Sequence, residues 1–422
     1  MMRPWKESKP YRRINISGMV TGLIEKSLLL FCALAAVSCG AHGYDPDNYF
    51  FFNDYCRNYD YSTLNEYFGP QKGNRLAVGN AILMYIFDRP VEEYEVILKR
   101  HFEESEKYDI PVLVELDPVT FWDGAPELWN WWDPTVPGYD PANRENVEWS
   151  SWSSSDAVKI GWLNWGSQIR LKPMANLFSP KYREAVRRRM DKFMTWTAEW
   201  YKSLPRDKKY LLGGVKITGE LGFGVNNWYY PEGNSLYDRP AAEDPQTGID
   251  MDIMPSRGVG QIGYASLAYS GIKTSGEITP EDIYAIEKKY AGFIADIVQG
   301  YGIPRGKLFS HSGGAGDDLA AAVQKNTCPT WSFYWDAAAD PAKCIPVIRY
   351  LPMSDAPWWG CSEWNIGEGK SRGEWAAALE NCYSIPGCRF ISLFNYGTVF
   401  KTDADGSLRV DESAVEAIKA RF

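Results

Sequence analysis

Two short runs of the chain each close on a glutamate: Leu211-Leu-Gly-Gly-Val-Lys-Ile-Thr-Gly-Glu220 and Pro357-Trp-Trp-Gly-Cys-Ser-Glu363. Both runs are short, apolar and nearly free of charge, the pattern of a buried strand. A carboxylate at the end of such a strand is costly unless it has a partner or a task. A single glutamate there more often caps a helix or pairs with a cation. Two of them, delivered from different strand ends into surroundings that include Phe223, Trp228, Trp359 and Trp364, match the requirement for acid/base cleavage of a glycosidic bond. Asp117 and Asp336 also end apolar runs and are rival carboxylates, although Asp117 precedes Pro118 in a common turn pairing.

A sugar needs hydrogen-bonding side chains for its hydroxyls and flat apolar surfaces for its ring faces. Asn164, Gln168, Asn227, His311 and Asn395 supply the first, and Trp165, Trp228, Trp335, Trp359, Trp364 and Tyr396 the second. His311 combines a strand end with a Gly-Gly turn, which suggests that it faces substrate. Aromatic residues make up 15% of the chain, and many of the 18 tryptophans fall in long segments rather than in helical stripes.

The elements that must position these residues alternate short apolar runs with amphipathic helices, the signature of an α/β protein with parallel strands. Runs are expected at 76–87, 111–116, 160–164, 211–220, 307–311, 330–335, around 363 and at 389–394. Helices are expected at 91–108, from Pro180 behind Ser179, from Thr279 to Val298, at 372–382 and behind Asp411 or Ser413. The aromatic segment 44–67 shows no clean period and is expected to wrap the bottom of the fold or rim the site. Counting 160–164 as the third strand gives eight, so the fold expected is a (β/α)8 TIM barrel with long, Trp-rich loops on the carboxyl-end face. One domain spans 44–422, with insertions at about 118–179 and 226–275. In that count Glu220 ends strand 4 and Glu363 strand 7.

With those two positions the chain resembles the clan-A glycoside hydrolases, whose glutamates end strands 4 and 7 of an eightfold barrel. The resemblance implies that Glu220 is the acid/base and Glu363 the nucleophile. In many of those enzymes Asn precedes the acid/base, whereas here Gly219 does. Gly219-Glu220-Leu221, followed by Tyr229-Tyr-Pro-Glu-Gly233 and Tyr237-Asp238, is also similar to the acid-bearing segment of plant-type β-amylases, which invert the anomeric centre. Retaining cleavage of a plant or host glycan is the first expectation. Inverting cleavage by the same pair is an alternative, and a non-catalytic surface glycan-binding lipoprotein is another.

A net charge of −9 with acidic residues spread along the chain argues against a nucleic-acid partner or an anionic membrane surface. Gly313 to Gly316 lacks the residues of a phosphate loop, and Gly-x-Ser-x-Gly is absent. No Cys-x-x-Cys pair occurs and the three histidines are far apart, so neither a metal nor a cofactor is expected. Residues 1–39 read as a signal peptide: Lys26 precedes an apolar run from Ser27 to Ser38, and Met19 is an alternative start. Ala36-Val-Ser-Cys39 resembles a lipoprotein processing box, which implies export and a lipid anchor at Cys39 as the only membrane attachment. An exported chain permits disulfides among Cys56, Cys328, Cys344, Cys361, Cys382 and Cys388. Cys382 with Cys388 is the first pairing to expect and Cys328 with Cys344 the second.

Overall fold

Three consecutive phenylalanines, Phe50 to Phe52, sit in a strand that the sequence reading left unassigned. The structure, a computed structural model, describes residues 43–159, 161–164, 168–221, 227–228, 261–313 and 317–422, with only the backbone at 162–164, 168–170 and 227–228. Tyr44–Phe422 forms one compact unit. Its centre is a closed barrel of eight parallel strands: β1 Asn48–Tyr55, β2 Leu76–Tyr85, β3 Val112–Asp117, β4 Leu212–Lys216, β5 Leu308–Ser312, β6 Cys328–Tyr334, β7 Trp359–Asn365 and β8 Cys388–Phe394. β1 closes the ring by pairing with both β8 and β2.

The (β/α)8 expectation therefore holds, with two strands corrected. Asn48–Tyr55 is the true first strand, and Gly161–Asn164 belongs to a small antiparallel sheet with Gln168–Leu171 and Asn227–Trp228. β1 lacks a period of two because a barrel strand is buried on both faces, so its pattern is a continuous apolar run.

Helices cover the barrel: α1 Tyr61–Phe68, α2 Val91–Tyr108, α3 Pro180–Ser203, α4 Tyr264–Ser270, α5 Pro280–Val298, α6 Arg372–Tyr383 and α7 Glu412–Lys419. Five stand where the periodicity places them, whereas α1 and α4 fall in segments where no helix is expected. Their starts are chemically specified. Ser179 accepts from the Tyr182 N–H at the head of α3, and Asp411 from the Ala414 N–H at the head of α7. Thr279 with Asp282, and Ser371 with Glu374, form capping boxes for α5 and α6. The buried stripe of α3 includes Tyr182, Val186, Met190, Phe193, Met194 and Thr197.

The lower lumen is filled by rings facing glycines. Phe309 and Phe390 meet edge to face at 4.9 Å, and Phe51 lies 5.9 Å from Phe390. A Cβ on Gly213 would run into the Phe51 ring, and one on Gly360 would lie 2.6 Å from Phe390. Large ring and absent side chain are thus complementary across the barrel, and truncating one such ring costs about 3–5 kcal/mol.

The excursion after β3 folds into short helical turns and the antiparallel sheet rather than into an open aromatic surface. Five of its described tryptophans, buried or partly buried, donate their indole N–H groups to backbone carbonyls: Trp122 to Pro173, Trp129 to Trp122, Trp131 to Val158, Trp149 to Arg144 and Trp152 to Gly276. These rings are the excursion's own core, a correction to their expected use as sugar-binding surface.

All six described cysteines are free thiols. Cys344 Sγ faces the carbonyls of Ala337 and Asp340 while Cys328 Sγ faces that of Arg305, so this pair does not form. Cys382 points to the Ala338 carbonyl, and the buried Cys361 thiol hydrogen-bonds with both Cys382 and Cys388. Among the described residues no helix is long and apolar enough to cross a membrane.

Candidate active site

The carboxyl-end face of the barrel holds a cavity of about 450 Å³ lined by Leu83, Tyr85, Asp117, Lys216, Gly219, Glu220, Tyr334, Trp335, Glu363 and Phe394. Both glutamates reach it, by different routes. Glu363 lies inside β7, where the register against β6 shifts between Cys361 and Glu363. That irregularity lets consecutive residues work on one side: Ser362 Oγ reaches His311 Nδ1 at 2.5 Å while Glu363 enters the cavity. Glu220 lies four residues beyond β4. The extension is held to β5 by Thr218, whose hydroxyl donates to the His311 carbonyl at 2.8 Å and accepts from the His311 N–H at 2.7 Å.

One oxygen each from Glu220 and Glu363 and a ring nitrogen of His311 all lie within 4.8 Å of one another. Ser332 on β6 touches all three, at 3.4 Å from Glu220 Oε1, 3.1 Å from Glu363 Oε2 and 3.3 Å from His311 Nε2. Tyr334 donates its hydroxyl to Glu363 Oε2 at 2.8 Å. Burial, together with the Glu363 charge, holds the Tyr334 phenol well above its ordinary pKa, so it remains a donor. His311 is fully buried, and burial with the nearby Lys216 charge keeps its pKa well below the ordinary value. It is therefore neutral, and the 3.8 Å approach of Nε2 to Glu363 Oε1 is no ion pair at neutral pH.

Beneath the cavity, Lys216 and Glu115 are directly paired across β4 and β3, with Nζ 2.6 Å from Glu115 Oε2. Asn53 Nδ2 and Ser392 Oγ donate to Glu115 Oε1 at 2.8 and 3.3 Å. Burial works against the Lys216 charge, but Glu115, Glu363 and Asp117 outweigh it and hold the ammonium above the ordinary lysine pKa. The signal for this pair was legible as opposite charges inside the apolar runs Val-Leu-Val-Glu115 and Leu-Gly-Gly-Val-Lys216.

Asp117 lines the cavity, but Oδ1 accepts from the N–H groups of Val119 and Thr120 and Oδ2 from the Thr120 hydroxyl. It holds its own turn. It also explains Gly219: a Cβ there would collide with the Asp117 carboxyl, leaving no room for the asparagine of the resembled family. Gly313 is under the same restriction from Glu220.

Other expected site residues are dispersed. Trp335 lines the cavity with its side chain largely exposed, and Asp336 begins the next helical turn beside a neighbouring cavity. Asn395 and Tyr396 line a further cavity at the ends of β1 and β8. Trp359 and Trp364 are fully buried outside the barrel, donating to the carbonyls of Pro386 and Ala338. Trp364, next to Glu363, takes the opposite face by alternation, and the register shift between Cys361 and Glu363 does the same for Trp359, four residues away. His311, expected to face substrate, instead sits under the carboxylates. Trp165 and the side chains of Asn164, Gln168, Asn227 and Trp228 lie outside the described residues. Ser332, Tyr85, Leu83 and Phe394 join the site from positions that sequence patterning reads as ordinary strand interior.

No family model and no curated protein matches the sequence. Solved structures do. The chain is similar to a beta-galactosidase from the psychrophilic Marinomonas ef1, at 11% identity and a TM-score of 0.45 over 88% of this chain, and it spans only 58% of that protein's length. It is similar to PbGH5A, a glycoside hydrolase family 5 enzyme from Prevotella bryantii B14, at 11% identity and a TM-score of 0.40 over 86% of each chain. A GH5-4 broad specificity endoglucanase from an uncultured bacterium matches at 10% identity and a TM-score of 0.41, covering 86% of this chain and 83% of that one.

Proposed function

We propose that this protein is a glycoside hydrolase that cleaves with retention, using Glu363 as nucleophile and Glu220 as general acid and base. The observation that carries the reading is the approach of the two carboxylates to within 4.8 Å across a cavity at the carboxyl end of the barrel. A retaining pair stands about 5–5.5 Å apart, whereas an inverting pair needs about 6.5–9.5 Å to admit a water. Tyr334 and Ser332 fix Glu363 by two hydrogen bonds to Oε2, and its side chain lines the cavity, which holds the carboxylate in place for attack. Glu220 protonates the departing glycosidic oxygen as Glu363 Oε closes on the anomeric carbon. Water then attacks the glycosyl ester, giving its proton to Glu220, and releases Glu363 as carboxylate.

The test follows the product. Proton NMR during hydrolysis should show the substrate's anomer first, and azide with Glu363→Ala should yield a glycosyl azide of inverted configuration. Appearance of the opposite anomer from the unaltered protein would overturn retention. The convergence of Glu220, His311 and Glu363 supports a second reading, a hydrolase assisted by a divalent cation. Turnover lost on EDTA dialysis and restored by Zn²⁺ or Mn²⁺ would favour it; turnover unaffected by EDTA favours the two-carboxylate route. The proposal includes export with a lipid anchor at Cys39, supported by the Ser27 to Cys39 sequence. Loss of fatty-acid labelling in Cys39→Ser tests it.

A further inference from the structure

The catalytic cavity is the middle of three. Leu83 and Phe394 are shared with the cavity of about 450 Å³ at the ends of β1 and β8, whose polar wall includes Asn53, Asp54, Asp60 and Asn395. Trp335 is shared with a cavity of about 510 Å³ between the β6 and β7 ends and α6, bordered by Asp336, Glu368, Lys370 and Glu374. Each is within the size range of a ligand pocket.

Trp335 is built as the step between the central and outer cavities. It is 67% exposed, and its φ of 55° lies in the left-handed region, which is unfavourable for a bulky side chain. Its N–H is held by the Asn365 carbonyl at 2.8 Å. Gly367 leaves the ring its space, since a Cβ there would lie 2.8 Å from Trp335 Cζ3. An exposed indole in a strained backbone at a cavity junction is not explained by packing, whereas the other tryptophans with described side chains are buried or partly so.

Charge along the three cavities is one-sided. Asp54, Asp60, Asp117, Glu220, Asp336, Glu363, Glu368 and Glu374 contribute carboxyl groups, against Lys216 and Lys370 alone among the described lining residues. Lys216 is buried and committed to Glu115 at 2.6 Å, and Lys370 stands at the outer edge, 3.6 Å from Glu374 in an exposed pair. A uronate or sulfate ester is recognised by a cation free to pair with it.

We infer that the three cavities form one cleft for an uncharged oligosaccharide, with Trp335 stacking the sugar that crosses from the central to the outer cavity, and that polyanionic glycans are rejected by the carboxylate lining. This rests on the glycosidase reading for its chemistry, but its binding content stands separately. The rejection is electrostatic, so added salt weakens it.

The experiment compares the full chain and Trp335→Ala on neutral gluco-, manno-, xylo- and galacto-oligosaccharides of two to six units, on the corresponding aryl monoglycosides and on oligogalacturonates. Calorimetry on a Glu220→Gln/Glu363→Gln double variant measures binding without turnover. For at least one neutral series, kcat/KM and affinity should rise about tenfold or more with length. Trp335→Ala should lose about tenfold more on the long members than on the aryl monoglycoside, with Trp335→Phe recovering most of the difference. No gain with length, an equal loss on short and long substrates, or preferred binding of oligogalacturonates overturns the inference while leaving the hydrolase reading intact. Length-dependent neutral binding without any cleavage upholds the cleft and overturns the hydrolase reading.

Discussion

Glu148 and Glu363 are both carboxylates set among aromatic residues, and their surroundings differ in one respect. Glu148, in the excursion after β3, is fully buried and every oxygen is engaged. Oε2 accepts from the N–H groups of Gly263 and Ala265 at 3.0 and 3.1 Å, and Oε1 from the Ser266 N–H at 3.1 Å and from its hydroxyl. It thereby caps α4 and fastens one insertion to the other. Glu363 keeps 18% of its side chain exposed, accepts from Ser332 and Tyr334 on Oε2 and lines the cavity beside Glu220. Burial and charge do not mark the reactive group. A fixed carboxylate that lines a cavity does, because its exposed part is what substrate can reach.

The sharpest break of this comparison is the same substitution made at both sites. Glu363→Gln should lower kcat on an activated aryl glycoside by about 10³-fold with little change in unfolding midpoint, the range of lost acid/base or nucleophilic catalysis. Glu148→Gln should do the reverse, losing stability in urea while the folded fraction keeps turnover within about twofold. Equal rate losses at both positions would end the distinction.

Lys216 lies between these extremes, since it supports the site from below and is itself paired. Lys216→Met should cost about 3–5 kcal/mol, because Glu115 is left charged and buried without its cation. Adding Glu115→Gln should recover much of that stability without recovering kcat. Recovery of both by the double variant would reduce the pair to a structural role.

A smaller effect separates the carboxylates by pH. Burial, only partly offset by its hydrogen bonds, raises the Glu148 pKa to about 7. A raised folded-state pKa contributes stability that is fully present below the unfolded value near 4.5 and is lost as pH rises through 7. Urea unfolding should therefore show a decline between pH 5 and 8 of up to about 3 kcal/mol in the unaltered protein. Glu148→Gln should flatten it; an unchanged slope would place the titration elsewhere.

Much of the barrel was legible because its signals are local. Helix α2 and the starts of α3 and α5 follow from periodicity and capping residues within a few positions of one another. β1 was not legible, since burial on both faces erases alternation, and Gly161–Asn164 was misplaced because a short apolar run does not state its partner. The two errors cancel in the count, so Glu220 and Glu363 keep their association with the fourth and seventh strands. Trp359 and Trp364 misled for a related reason: nearness in sequence to Glu363 does not state which face of the strand a residue takes, and the register shift between Cys361 and Glu363 reverses the alternation for Trp359.

From its sequence alone this protein is a barrel with two chemically suited glutamates, because strand patterning and helix capping act over a few residues. The tertiary structure decided which carboxylates share a cavity, that His311 lies beneath them as a neutral partner, that Asp117 fills the space Gly219 leaves, and that Trp335 is the exposed indole among the tryptophans with described side chains. Those outcomes depend on distances between strands far apart in the chain, and closure of the barrel is what sets them.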